Sequence, residues 1–246
     1  MRIAVAGGTG VVGRHVVDVA TANGHQPVVL ARSRGVNVVT GQGLDAALSG
    51  MQAVIDVSNV TTARRSPAMA FFTASTEHLL AAGERAGVGH HVALSIVGID
   101  RVENGYYQGK RRQEELVLAS PRPTSVLRAT QFHEFPGQVL AGTHGPLAPV
   151  PRMKIQPVAA REVAEALVAL ATGPPVGFAP ELAGPEERQL VDLAQRLVRA
   201  RGQRRWVLGF RLPGSAGRAM TTGGLLPQTA APHGTQTFDQ WLAAAR

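Results

Sequence analysis

Both tyrosines of the 246-residue chain, and one of its only two lysines, lie within one octapeptide, GYYQGKRR, at residues 105–112. If this stretch is helical, Tyr106 and Lys110 lie four residues apart on one face. A free tyrosine has a pKa of about 10, and a nearby ammonium lowers that pKa by favouring the phenolate. Such a tyrosine could donate a proton to a carbonyl oxygen while hydride reaches the carbon. A tyrosine and a basic residue on the exposed side of a helix is the simpler alternative.

A serine could assist the same chemistry. Ser95 stands in LSIVG, at the end of a predicted strand, and its hydroxyl could hydrogen-bond the reacting oxygen. The predicted catalytic residues are therefore Tyr106, Lys110 and Ser95.

A glycine-rich segment, GGTGVVG at residues 7–13, follows a predicted strand and opens a predicted helix. It satisfies the G-x-G-x-x-G pattern of dinucleotide-binding loops. The glycines allow a tight turn with positive φ and a close backbone approach to a pyrophosphate, which the free N–H groups of the helix N-terminus then bind. A tight turn without a ligand is the alternative. The predicted cofactor-binding residues here are Gly7, Thr9, Gly10, Val11, Val12 and Gly13.

The second predicted strand ends in basic sequence, Arg32-Ser33-Arg34, and no Asp or Glu occurs between Asp18 and Asp45. NAD enzymes place an acid near this point to hold the ribose 2′-hydroxyl. An acid would repel a 2′-phosphate, whereas a guanidinium binds it with two parallel N–H bonds. The sequence therefore favours NADP(H), with Arg32, Ser33 and Arg34 at the cofactor; one or both arginines as solvated surface charge is the alternative.

Strands and helices alternate along the first part of the chain, which predicts an α/β fold of the Rossmann-like, doubly wound type with a parallel sheet and right-handed crossovers. Pro and Gly become frequent after residue 130. We expect one domain over 1–246, in which a small, loop-rich substrate lobe (about 131–155 and 174–235) packs on a 1–130 core. The predicted strands are IAVAG, PVVLAR, VNVV, QAVIDVSN, HHVALS and TSVLRAT; the predicted helices cover 11–24, 66–87, 106–119, 159–172 and 186–201, with a last one at FDQWLAAA.

Ligands of open parallel sheets bind at the carboxyl ends of the strands. By that rule, Val57, Ser58, Asn59, Thr130 and Phe132 are predicted to border the cofactor. An ordinary turn at the end of a strand is the alternative. His133 and Phe135 lie where the second lobe begins, so they are predicted, with Gln131, to line the substrate pocket. His133 stands next to Glu134, but no second pair occurs at ligand spacing such as H-E-x-x-H, so no metal site is predicted.

The amino-acid composition limits which other functions and partners are possible. The chain has a formal charge of +8 and a pI of about 11.2. A charge of this size suggests a nucleic acid as one candidate partner. Aromatic residues are only 4% of the chain, so little could stack on bases; many Arg and few Lys also fit a GC-rich bacterial genome. Cysteine is absent, which excludes a thiolate nucleophile. We expect a soluble cytoplasmic protein, a monomer or homodimer, with a small-molecule substrate and neither nucleic acid nor a membrane as partner.

Several of these motifs together resemble the short-chain dehydrogenase/reductase superfamily, and more narrowly its atypical NmrA-like branch with quinone-reductase and isoflavone-reductase relatives. They are GGTGVVG, ARSR, LSIVG, Y-x-x-x-K, LRATQFHEF and GGLLPQ…GTQTFDQWLA. The resemblance implies a Rossmann fold, NADP(H) in the glycine loop, Lys110 on the nicotinamide ribose, and hydride transfer to a carbonyl, quinone or related neutral acceptor. Ser95 lies closer to Tyr106 than in the best-known members. An NADP(H)-sensing regulator without turnover is the alternative function.

Overall fold

The computed structural model describes residues 1–229 and 232–244. The chain forms two compact units. The first unit comprises Met1–Ser95, Asn104–Arg128 and Ala160–Pro180; the second comprises Ile96–Glu103, Ala129–Ala159 and the chain from Glu181 onward.

A six-stranded sheet forms the centre of the first unit, in the order β2-β1-β3-β4-β5-β8. β1 pairs in parallel with both β2 and β3, β3 with β4, and β5 with β8. The inner strands are buried along nearly their whole length, as expected for a parallel sheet covered on both faces. The strands are β1 (Arg2–Ala6), β2 (Gln26–Leu30), β3 (Ala53–Asp56), β4 (His90–Ile96), β5 (Thr124–Ala129) and β8 (Gly177–Phe178). The predicted fold class is confirmed.

The helices of the first unit pack in pairs, α1 on α6 and α3 on α4. α3 and α4 approach very closely at Gly109, where a Cβ would lie 2.8 Å from the backbone of Ala68. This approach places the residues of α4 deep in the unit. The helices are α1 (Val11–Ala22), α2 (Leu44–Leu48), α3 (Arg65–Arg85), α4 (Gly105–Leu118) and α6 (Ala160–Thr172), with a 3₁₀ turn at Arg32–Arg34.

The second unit contains two small sheets, in which β6 pairs in parallel with β10 and β7 pairs antiparallel with β9. Helix α7 packs against β6 and β10 with a buried stripe of Leu190, Leu193 and Leu197. The elements are α5 (Phe135–Ala141), β6 (Leu147–Pro151), β7 (Lys154–Ile155), β9 (Arg188–Gln189), α7 (Leu190–Ala200), β10 (Trp206–Phe210), α8 (Gly214–Thr221) and α9 (Phe238–Ala244).

Two predicted elements differ from the structure. The predicted strand VNVV is wrong: residues 36–39 lie in an irregular turn, where Val36 joins the core and the Asn37 side chain accepts the Val39 N–H at 3.0 Å. The helix predicted from 186 begins at Leu190, because Arg188 and Gln189 pair with β7. The last residue of FDQWLAAA, at position 245, lies outside the described residues. Within the described ranges, no helix combines the length and hydropathy needed to cross a membrane.

Candidate cofactor-binding and catalytic site

The glycine loop connects β1 to α1 and leaves no room for side chains. Gly7 has a φ of +78°, and a Cβ there would lie 2.6 Å from the carbonyl oxygen of Val57. A Cβ on Gly13 would lie 2.1 Å from the carbonyl oxygen of Gly7. The strand and the helix can therefore approach each other only because both positions are glycine.

The first turn of α1 presents unpaired backbone donors. Gly10 is the N-cap and makes no side-chain cap, while the Arg14 N–H donates to the Gly10 carbonyl at 3.1 Å. The N–H groups of Val11, Val12 and Gly13 precede that bond and have no acceptor within the helix. Thr9 and Gly10 are exposed. This turn therefore fits the pyrophosphate of a dinucleotide, since both the donors and the helix dipole favour an anion.

The basic segment that was predicted to select the cofactor forms the 3₁₀ turn directly after β2. Arg32, Ser33 and Arg34 are all exposed there. Neither guanidinium has an acidic partner in the described part of the chain, so both are free to bind a phosphate.

The loop after β3 connects the glycine loop to the tyrosine. Val57 and Ser58 line the position that a side chain on Gly7 would occupy. Two residues further on, the Asn59 side-chain oxygen accepts a hydrogen bond of 2.9 Å from the Tyr106 hydroxyl. The loop itself is held by Asp56, whose Oδ1 accepts the Ser58 N–H at 2.9 Å. The loop Val57–Asn59 thus contacts both the glycine loop and the predicted catalytic tyrosine.

Tyr106 begins the first turn of α4, which Asn104 caps by accepting the Tyr106 N–H at 2.8 Å. Its ring packs edge-on against Phe72, with 5.7 Å between the ring centroids. Burial raises the pKa of Tyr106 to about 12, and the hydrogen bond with Asn59 acts in the opposite direction. The expectation that Lys110 lowers this pKa is wrong, because the ammonium is bonded elsewhere.

Lys110 points into the interior of the first unit. Its Nζ donates to the Leu94 carbonyl at 2.5 Å and to the side-chain oxygen of Gln113, and it lies 4.8 Å from the centroid of the Phe72 ring. Burial lowers the pKa of Lys110 to about 8, against the attraction of Asp56 and Glu114. The Phe72 ring therefore contacts both Tyr106 and Lys110, which have no direct bond to each other.

A buried polar network surrounds Lys110 that the sequence analysis missed. Gln113 Nε2 donates to Asp56 Oδ2 at 2.8 Å, and Arg128 binds both oxygens of Glu114 at 2.8 and 2.7 Å. Asp56 is fully buried. Two signals could have indicated the network: a carboxylate in the apolar strand AVID, and Gln113 and Glu114 three and four residues after the lysine on one helix.

Ser95 lies at the end of β4 with only 2% of its surface exposed. Among the described residues its hydroxyl has no hydrogen-bond partner, and the same holds for the hydroxyl of Ser58. A buried hydroxyl without a partner is costly, and such groups often bind a ligand or water. Both hydroxyls belong to the first unit, as do Tyr106, Lys110 and the glycine loop.

The residues predicted after β5 belong to the second unit, and their assignments to cofactor or substrate stay predictions. The Thr130 hydroxyl donates to the Gln156 carbonyl at 2.5 Å, and the backbone of Phe132 forms an isolated parallel β-bridge with Val158. His133 is buried, its Nε2 donates to the Gln236 carbonyl at 3.0 Å, and its ring packs on Phe238 and Trp241. Phe135 begins α5.

Gln131 differs from these neighbours in the second unit. Only 9% of its surface is exposed, yet neither its amide nitrogen nor its amide oxygen has a partner among the residues described. A buried amide with both a free donor and a free acceptor can bind a ligand that carries the complementary pair. Of the predicted substrate contacts, Gln131 therefore has the side chain best suited to one.

Comparison with known proteins supports the fold at low sequence identity. No protein-family model matches the sequence, and no curated protein matches it significantly. Solved structures do match over nearly the whole chain. The fold is that of NAD(P)-dependent short-chain dehydrogenases/reductases.

Three of these structures show the range. A short-chain dehydrogenase/reductase superfamily protein from Agrobacterium tumefaciens with bound NAD is 19% identical, with a TM-score of 0.70 over 100% of this chain and 96% of that one. An NADPH-dependent quinone oxidoreductase from Escherichia coli, complexed with NADPH, is 18% identical (TM-score 0.71, 99% of each chain). The NAD-dependent NDP-hexosamine 5,6-dehydratase TunA is 16% identical (TM-score 0.73, 98% and 95%). All three descriptions name NAD or NADPH, whereas the activities that they name differ.

Proposed function

We propose that this protein is an NADPH-dependent oxidoreductase that reduces a carbonyl, a quinone or a related small neutral acceptor. The observation that carries the proposal is the loop Val57–Asn59, which borders the glycine loop at Gly7 and accepts the Tyr106 hydroxyl at Asn59. In this proposal the first turn of α1 binds the anion and Tyr106 donates the proton, at the end of the parallel sheet where such folds bind their ligands.

NADPH, when bound, supplies the hydride, and the chain supplies binding groups and the proton. Val11, Val12 and Gly13 offer N–H groups to the pyrophosphate, and Arg32 and Arg34 offer guanidinium groups to a 2′-phosphate. An ammonium has three N–H donors. Two on Lys110 are bonded within the protein, which leaves one for a ribose hydroxyl.

Tyr106 is suited to donate a proton rather than to accept one. With a pKa of about 12, its hydroxyl stays protonated throughout the neutral range. An alkoxide formed from a carbonyl group is a stronger base than a phenolate, so proton transfer from Tyr106 to that oxygen is downhill. The hydroxyl must leave Asn59 to make this transfer, and the unpartnered hydroxyl of Ser95 can hydrogen-bond the same oxygen.

Kinetics with the Tyr106→Phe variant tests the proposal. We expect NADPH oxidation in the presence of a carbonyl and quinone panel to fall about 100-fold or more in kcat, while the Kd for NADPH changes little. Lys110→Met should weaken NADPH binding as well. Tight NADPH binding with no turnover of any acceptor would contradict the reductase function.

The cofactor preference has its own test. Replacing both Arg32 and Arg34 with Ala should weaken NADPH binding about 10- to 100-fold and leave NADH binding almost unchanged, because only NADPH carries the 2′-phosphate. Equal losses for the two cofactors would contradict the assignment, and Arg211→Ala, an exposed arginine of the second unit, is the matched control.

One observation favours a second function, an NADP(H)-sensing regulator. Both reactive groups already have intramolecular partners: Tyr106 bonds Asn59, and Lys110 bonds Leu94 and Gln113. A protein that binds NADP(H) without turnover needs neither group free. A protein partner whose affinity depends on the NADP/NADPH ratio, together with no acceptor reduction, would favour this function.

A further inference from the structure

The two-stranded sheet of the second unit exposes an apolar face. Residues paired across β6 and β10 share a face, and the outward face consists wholly of apolar side chains. Trp206 is 73% exposed, Leu208 51%, Phe210 40% and Leu147 53%. Half of the large hydrophobic residues exposed in the described part of the chain thus lie on this one face, whose six residues are Leu147, Pro149, Pro151, Trp206, Leu208 and Phe210. An apolar patch of this kind marks an interaction surface.

The two edges of this sheet are not equivalent. The Trp206 N–H donates to the Pro146 carbonyl and the Arg152 N–H to the Phe210 carbonyl, so even-numbered residues of both strands bond each other. Backbone groups of successive residues in a strand point to opposite sides, so odd-numbered residues face the outer edges. On β6 these include Pro149 and Pro151, which have no N–H and close that edge to pairing.

On β10 the backbone groups that point to the free edge of the sheet belong to Val207 and Gly209, and each of these residues has an N–H and a carbonyl. Within residues 1–229 and 232–244, no strand pairs with this edge. One edge of the sheet is therefore blocked by sequence and the other is open, and an open edge is a template for strand addition.

The sequence along the open edge identifies the occupant. Residues 205–211 read RWVLGFR, which is nearly the same in both directions: Arg at each end, an aromatic residue next, and Leu208 in the middle. An antiparallel pair of two such strands about a two-fold axis matches arginine with arginine, an aromatic residue with an aromatic residue and Leu208 with itself, and it places Val207 opposite glycine. We propose that β10 of a second copy of this chain pairs with β10 in this way. The β6/β10 sheets of the two copies then form one sheet of four strands.

The pairing satisfies both the backbone and the apolar face. Val207 and the partner's Gly209 exchange two hydrogen bonds, and symmetry repeats them for a total of four. Trp206 then lies opposite the partner's Phe210, and Leu208 opposite the partner's Leu208, in the closely spaced pairs where aromatic and apolar side chains stabilise a sheet most.

The terminal arginines do not prevent this arrangement. Arg205 would lie opposite the partner's Arg211, and like charges directly opposite are unfavourable. However, the Arg205 guanidinium is already bonded to the Leu140, Thr143 and Gly145 carbonyls of its own copy. Those acceptors precede β6, on the side of β10 away from the open edge, so the charge is held back from the interface.

The dimer should be reversible. An edge of five residues buries less than the roughly 1,000 Å² that a stable interface needs, so we expect a Kd in about the micromolar range. Sedimentation velocity from about 1 µM to about 200 µM should show the average mass rising from 25.8 kDa towards twice that value. A constant monomer mass over this range would overturn the proposal.

Mixing variants at the symmetry axis tests the geometry. Leu208→Arg and Leu208→Glu place like charges opposite each other, so each variant alone should bind itself at least about tenfold more weakly. An equal mixture should recover dimer, because arginine then meets glutamate. Val176→Arg, at a site of the first unit that is 48% exposed, should dimerise like the wild type.

Each other outcome contradicts the pairing. If Leu208→Arg dimerises as well as the wild type, the interface lies elsewhere. If both charged variants are monomeric and the mixture is monomeric too, Leu208 does not face its own copy. Circular dichroism of each variant, matching the wild type, ensures that monomers are folded monomers.

Discussion

The two units of this protein differ in where they place charged and large apolar side chains. In the first unit, Asp56, Lys110 and Glu114 are buried, and each is held by a specific partner. In the second unit, large apolar side chains stand open on β6 and β10, and the ion pair of Arg196 with Asp239 is about half exposed.

This difference shows where the protein buries charged groups, at a cost in stability, in order to fix the positions of side chains. A buried charge is tolerated only when its partners are arranged well, and removing one partner is expensive. The first unit accepts that cost around α4, the helix that carries Tyr106 and Lys110. Among the residues described in the second unit, the buried polar side chains, such as those of Thr130 and Gln156, include no Asp, Glu, Lys or Arg. The exposed apolar face of β6 and β10 suits a region that contacts other molecules.

The largest predicted effect compares the best-paired carboxylate of each unit. Glu114 and Asp239 each accept hydrogen bonds of 2.7 Å from an arginine, but the Glu114 pair is buried and the Asp239 pair is not. Glu114→Ala should lower the free energy of unfolding by about 3–5 kcal/mol, because it removes the carboxylate that binds the largely buried Arg128 guanidinium. Asp239→Ala should cost at most about 1 kcal/mol.

Urea unfolding of the two variants measures both values. Equal losses would mean that burial does not decide the strength of these pairs, and the contrast between the units would fail. Glu114→Gln helps to separate charge from packing, since it keeps the shape of the side chain and one acceptor.

The glycine loop should give the next largest effect. Gly13→Ala would place a methyl group 2.1 Å from the Gly7 carbonyl oxygen, and backbone cannot move far, so we expect a loss of about 3 kcal/mol or more. A Cβ added at Gly10 would meet the same oxygen at 3.2 Å, and no other non-adjacent atom of the described residues lies within 4 Å of it. Gly10→Ala should therefore cost much less stability.

Dinucleotide binding distinguishes the two variants further. The methyl group of Gly10→Ala would occupy the open side of the loop, where the pyrophosphate is proposed to bind, so NADPH affinity should fall while the protein stays folded. Thermal unfolding with and without NADPH measures both quantities. A Gly10→Ala variant with unchanged NADPH affinity would contradict the placement of the cofactor.

The pKa of Lys110 predicts a pH dependence of stability. Its pKa is about 8 in the folded protein and about 10.4 when unfolded, so between these values the unfolded chain binds more protons. The free energy of unfolding therefore rises with pH in this window. The stability that the neutral, buried Lys110 contributes is lost as the pH falls through 8. From pH 8 to pH 10 the rise should be about 2 kcal/mol.

Lys110→Met should abolish this rise, and Lys154→Met should not, because Lys154 lies at the surface of the second unit and pairs with Glu187. Unfolding in guanidinium chloride at pH 8, 9 and 10 measures the rise. Tyrosines of the unfolded chain begin to ionise near pH 10, but they do so equally in the wild type and in Lys110→Met, so the difference between the two proteins reports on Lys110. Parallel curves for the wild type and Lys110→Met would show that Lys110 is not buried as a charge.

The fold could be predicted from sequence because its signals are local. GGTGVVG between an apolar run and a helical pattern, followed by repeated strands and helices, determines a parallel sheet. VNVV misled because β-branched residues also occur in turns, and the Asn37 side chain supplied a local hydrogen bond that competes with strand pairing.

The site was only partly predictable, since partners distant in sequence decide it. Tyr106 and Lys110 could be found from their spacing, but Asp56 and Leu94, which determine how Lys110 is held, come from other strands. The direction of the Tyr106 pKa shift was missed for the same reason: burial by α3 and the loop after β3 outweighs an ammonium that is bonded to other groups.

The smallest predicted effect concerns the bond between Tyr106 and Asn59. Tyr106→Phe and Asn59→Ala should each cost about 1 kcal/mol of stability, and the double variant should cost less than their sum, by about 1 kcal/mol if the bond forms in solution. With saturating NADPH, this coupling should shrink, because the proposed chemistry needs the hydroxyl to leave Asn59. A coupling that NADPH leaves unchanged would keep Tyr106 tied to the protein and favour the sensor over the reductase.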